Sequence, residues 1–120
     1  MSWDAYFDGQ SWNYTHNTND MIAAAYEAVT AERTDVYDDH LISKIIGPAW
    51  WKRLDGKTGR EGAAYLAQII KGMEADPGRF RAMNPENGWG SYDSLLTVLR
   101  EMRAAGEAAC CDVRRWEASG

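Results

Sequence analysis

Histidine is scarce in this chain: among 120 residues only His16 and His40 have side chains that ordinarily titrate near neutral pH. Cysteine is equally rare, and its two copies, Cys110 and Cys111, are neighbours, a spacing at which a mutual disulfide is strained. The expectation is two reduced thiols and a cytoplasmic setting. No stretch of about 18 uninterrupted apolar residues occurs. The chain opens Met-Ser-Trp-Asp, with no basic segment leading into an apolar run. Neither a membrane span nor a secretory route is expected. Also missing are a Gly-rich phosphate loop, a Gly-x-Ser-x-Gly elbow and a His-Glu-x-x-His pair. No catalytic residue is assigned and no cofactor is expected.

Positive charge is nearly absent from the first third. Residues 1–40 carry eight Asp or Glu against Arg33 alone, while the chain as a whole has a net charge of −5. Direct nucleic-acid binding needs a concentrated Lys/Arg footprint and is not expected. A basic partner, or a surface that imitates the charge of a nucleic acid, stays open.

What the chain has in quantity is aromatic surface, with six Trp, six Tyr and two Phe. Each buried ring removes roughly 150–250 Å² from water, so a core can form without metal or disulfide. Length and composition fit a single globular domain over residues 1–120.

Trp3, Tyr6, Phe7, Trp12 and Tyr14 flank the turn-like Asp8-Gly9-Gln10, which reads as extended segments about a turn. Asn17 or Thr18 can cap a first helix, in which Met21, Ile22, Ala25, Tyr26 and Val29 recur at helical spacing. Residues 31–40 read as an acidic loop. Leu41, Ile42, Ile45 and Ile46 suggest a short helix broken at Gly47-Pro48 and resumed through Leu54. Thr58 and Glu61 have capping-box spacing, and the helix they open ends at Asp76-Pro77. One further turn should point Phe80 and Met83 inward. Ser91 can cap a last helix with Leu95, Leu99, Met102, Gly106 and Ala109 on one face. Residues 112–117 read as a short strand that would pair with 11–15. The expected fold is mainly α, about four helices with a minor β ribbon from the chain ends.

Two segments share an Asn/aromatic character ahead of a helix: Trp12 to Asn17, and Asn84-Pro85-Glu86-Asn87-Gly88-Trp89-Gly90-Ser91-Tyr92-Asp93. With Leu54-Asp55-Gly56 and Asp76-Pro77-Gly78-Arg79-Phe80, these segments resemble uncharacterised small proteins of actinobacteria and their phages. The likeness spans most of residues 13–105. It implies a phage or phage-derived origin and brings no activity, cofactor or site residue.

The binding candidates are Asn13, Tyr14, His16, Asn17, Trp50, Trp51, Asn87, Trp89, Tyr92 and Asp93. Glycines in the second segment let backbone approach a ligand, and a helix start supplies N–H donors. The same residues can equally act as caps and turn locks. The two segments are expected to meet, with Asn13 or Asn17 bonding backbone of the second and Trp89 near Tyr14. Trp50-Trp51 can send one ring to the core and one to an interface, since helix neighbours do not share a face. His16, Asp20, Asp39 and His40 are the only candidate metal cluster, and a solvated face explains them more simply. The thiols have Arg114 and Arg115 nearby but no histidine, so small core residues are the simpler reading.

These features point to a non-catalytic interaction protein that binds a protein partner through exposed aromatics and its acidic front. Two alternatives stand: a small-ligand-binding or hydrolytic protein using the Asn/aromatic loops, and a nucleic-acid mimic. Oligomeric state is not set by the sequence.

Overall fold

The computed structural model describes residues 2–30, 50–85, 88, 90–109 and 114–120, apart from the side chains of His16 and Thr30. Strand β1, Ser2–Phe7, alternates strictly: Trp3, Ala5 and Phe7 are buried, while Asp4 is half-buried and Tyr6 exposed. Antiparallel to it runs β2, Gln10–Thr15, with Trp3 opposite Tyr14 and Ala5 opposite Trp12. Asp8 and Gly9 join them with φ of 51° and 77°. Two consecutive positive φ values match the twist of a tight hairpin, and Asp and Gly are the residue types that tolerate them.

A third strand, β3 (Glu117–Ser119), completes an antiparallel sheet of order β2-β1-β3. The expected partner of the C-terminal strand was residues 11–15; it is Asp4 to Tyr6 of β1 instead. The burial pattern gives the reason. β1 sends Trp3, Ala5 and Phe7 into the core at 0, 0 and 2% exposure, so it takes the central place, and the more exposed β2 takes an edge. The C-terminal segment is also tied to the chain's middle: Gly56 N–H donates to Trp116 O at 2.9 Å and Trp116 N–H to Lys57 O at 2.8 Å.

A single 3-10 turn, His16–Thr18, leads from β2 into helix α1, Asn19–Thr30. Met21, Ile22, Ala25 and Tyr26 are buried there, as their spacing requires. A short α2, Trp51–Leu54, precedes α3, Gly59–Ala75. Both halves of the capping box form: Glu61 N–H donates to Thr58 Oγ1 at 3.3 Å and Thr58 N–H to Glu61 Oε1 at 3.0 Å. The Thr58 backbone N–H and hydroxyl hold the Glu61 carboxyl below its ordinary value. Asp76 then accepts from Arg79 N–H and opens α4, Pro77–Arg81. Phe80 is buried there, but Met83 is among the exposed hydrophobics, contrary to the inward expectation. α4 stops at Arg81, so the helical face carrying Phe80 does not continue to position 83.

Helix α5, Tyr92–Ala108, buries Leu95, Leu96, Leu99, Met102 and Gly106 against α3. α1 meets α3 on its other flank, so closely that a Cβ on Gly72 would collide with the Ala25 carbonyl. Trp116 stacks on Phe7 with ring centroids 4.8 Å apart, tying the last segment to the sheet's inner face. The indole N–H groups of Trp3 and Trp116 lie buried without an acceptor among the described residues. An orphaned donor costs about 1–3 kcal/mol. Burying a ring of roughly 200 Å² contributes about 5 kcal/mol, so packing wins at both positions. The acidic stretch 31–40, the broken helix expected before Ala49, and both cysteines lie outside the described residues.

Candidate functional site

The two Asn/aromatic segments meet. Strand alternation turns Tyr14 toward the inner side of the sheet, where its hydroxyl reaches the start of α5. Ser91 N–H donates to Tyr14 Oη at 3.0 Å, and Ser94 Oγ lies 2.6 Å from the same oxygen. Gly90, at φ 101°, sits where a Cβ would come within 2.7 Å of the Thr15 methyl and 3.0 Å of the Thr18 methyl. Both the backbone angle and the space require glycine.

Asn13 does not take part in this junction. One residue from Tyr14 along the strand, it faces the outer side, where Nδ2 donates to Ser2 Oγ at 2.9 Å and Asp4 Oδ1 at 2.8 Å. Asn17 is exposed, and its backbone N–H donates to Thr15 Oγ1. The His16 side chain, Asn87 and Trp89 lie outside the described residues, so the expected Trp89–Tyr14 contact does too.

The donors that open α5 are met by the protein's own side chains. Tyr92 N–H donates to Asn84 Oδ1 at 2.8 Å and Ser94 N–H to Ser91 Oγ at 3.2 Å. Tyr92 itself is buried, its hydroxyl donating to Met73 O at 2.9 Å, and burial pushes the phenol pKa up. Asp93 is exposed and pairs with Arg81 at 3.0 Å.

Of the tryptophan pair, Trp50 goes to the core. It meets Trp3 edge to face with centroids 4.8 Å apart, and its Nε1 donates to Asn19 Oδ1 at 3.2 Å. Trp51 is half-buried and lies against Gly120. Among the candidate metal ligands only Asp20 has a described side chain, and no cluster of three metal-type ligands occurs among the described residues.

One exposed aromatic is not among the sequence candidates. Tyr6 is 46% exposed on the outer sheet face, between Ser11 of β2 and Glu117 of β3. Beside it opens a groove of about 400 Å³ whose lining includes Asp8, Gln10, Ser11, Arg115 and Glu117. Asp8 forms an ion pair with Arg114 at the rim. The period-two pattern of Ser2–Phe7 contains the signal: if Trp3, Ala5 and Phe7 point inward, Tyr6 must point out. An outer face of one ring, hydroxyls, an amide and carboxylates suits reversible recognition through hydrogen bonds around an aromatic anchor. No family model, curated protein or solved structure matches the chain.

Proposed function

We propose that this is a non-catalytic interaction protein that engages a partner protein through the outer face of its sheet. Tyr6 carries the reading, as the large aromatic with the greatest exposure among the described residues. A tyrosine held on a strand contributes broad contact area at a small entropic cost, which favours it as an interface anchor. Asp4, Asn13 and Ser2 beside it form a hydrogen-bonded set at the surface, ready for a polar rim. Asp4 and Glu117 bring carboxylates to the same face, in keeping with a partner that carries basic groups. The likeness to proteins of actinobacteria and their phages extends the proposal to a phage-derived protein acting on a host component.

Small-ligand binding is the second reading, favoured by the groove of about 400 Å³, within the usual range of roughly 300–1,000 Å³ for such sites. The nucleic-acid mimic has less support: Asp8, Glu74, Asp93 and Glu107 are each neutralised by an arginine. The test is affinity capture from an actinobacterial extract, with the parent protein and Tyr6→Ala side by side, followed by calorimetry on the purified partner. A specific partner should bind the parent and be lost with Tyr6→Ala. A captured protein that binds both equally well would remove this face from the reading.

A further inference from the structure

Strand register fixes a set of four side chains on the outer face of the sheet. Tyr6 of β1 stands opposite Glu117 of β3, and Asp4, two residues back along β1, stands opposite Ser119. Residues directly opposite each other share a face, with Cβ atoms about 5 Å apart and diagonal neighbours about 7–8 Å apart. Two carboxylates therefore occupy one diagonal of the set, and the Tyr6 ring and the Ser119 hydroxyl occupy the other. Tyr6, Glu117 and Ser119 are exposed and Asp4 is half-buried.

The negative charge of this set is not balanced from within the face. The outward positions of the three strands carry two acids and no base. Among the described residues the Glu117 carboxylate has no ion pair or hydrogen bond, and Asp4 accepts only from the Asn13 amide, through Oδ1 at 2.8 Å. No cation among them lies over the Tyr6 ring, whereas the rings of Tyr26, Tyr65, Phe80 and Tyr92 each have one. Arg114 pairs with Asp8 at the hairpin. Arg115 reaches the groove beside Tyr6, but its guanidinium donates to Gly56 O at 2.7 Å. A ring between two carboxylates is complementary to a cation, which gains from the ring face and from the acids together. Guanidinium fits better than ammonium: its plane stacks on the ring while its fork of five N–H donors reaches carboxylates to either side. A compact ammonium covers less of that span.

From this arrangement we propose that the partner lays an arginine side chain on the Tyr6 ring, held by Glu117 and Asp4. The proposal rests on the outer sheet face being the partner surface and names the chemistry that this surface reads. Amide NMR shifts of the full chain should be followed during titration with acetyl-Gly-Arg-Gly-amide, and with its lysine and citrulline counterparts at the same ionic strength. Saturable shifts at Tyr6, Glu117 and Ser119 are expected with the arginine peptide. The citrulline peptide, equal in shape but uncharged, should bind about tenfold more weakly, and the lysine peptide should fall between them. Tyr6→Leu and Glu117→Gln should each weaken arginine binding about three- to fivefold, while Tyr6→Phe, which keeps the ring, retains it. Glu101→Gln removes the same charge from an exposed site on α5 and should leave binding unchanged. Amide spectra that otherwise overlay the parent's show that each variant is folded. Arginine binding no tighter than that of citrulline or lysine, or equal weakening by Glu117→Gln and Glu101→Gln, would overturn the arginine site. If the arginine peptide fails to bind while a captured partner still depends on Tyr6, the arginine site falls and the partner surface stands. Equal capture by the parent and Tyr6→Ala removes the surface, and this proposal with it.

Discussion

The backbone N–H of Ser91 donates to the hydroxyl of Tyr14 at 3.0 Å, across 77 residues of chain. The bond joins the edge strand to the N-cap of α5, and the Ser94 hydroxyl closes the set at 2.6 Å. Tyr14→Phe keeps the ring and removes the oxygen, leaving a half-buried N–H without its acceptor. The expected cost is about 1–3 kcal/mol of unfolding free energy. A urea midpoint equal to that of the parent would mean the junction does not hold the fold together.

Asn13→Ala should do much less. Sequence reasoning placed this residue at the junction, but its amide bonds Ser2 and Asp4 at the exposed outer face. Water replaces such bonds readily, so the loss should stay below about 1 kcal/mol. A larger loss in thermal or chemical denaturation would show that the outer network is part of the stabilising structure.

Leu99→Ala should cost about 2–5 kcal/mol, because the side chain is fully buried between α5 and α3 and its removal leaves a cavity. Chemical denaturation measures it. Val98, partly buried beside it on the same helix, should lose clearly less on the same truncation.

Glu61 makes stability depend on pH in a definite direction. Its folded carboxyl sits below its ordinary value because Thr58 donates to it, so its contribution is present above the ordinary glutamate range. As pH falls through the depressed folded value, protonation removes that contribution. Unfolding free energies of the parent and Glu61→Gln should therefore differ at neutral pH and converge in acid. A gap constant down to the acid limit would assign the effect to packing rather than charge.

What the sequence determined by itself is the set of features whose chemistry closes within a few residues. The Asp8-Gly9 turn, the Thr58–Glu61 box, the stop at Asp76-Pro77, the Ser91 cap and the buried stripe of α5 all appear where the chain predicts them. In each, donor and acceptor, or successive side chains on one face, are set by spacing alone. Tertiary structure decided whatever depends on which distant faces meet. β3 joins β1 rather than β2 because the strand with the fullest inner face becomes the central one. Trp50 enters the core because Trp3 and Asn19 await its ring and its N–H. Met83 stays outside because α4 stops before it. The candidate site divides in the same way: alternation along Ser2–Phe7 already turned Tyr6 outward. Only packing could bring Arg53 over the Tyr26 ring and that ring against Tyr65, since those contacts join segments tens of residues apart whose mutual burial no local pattern encodes.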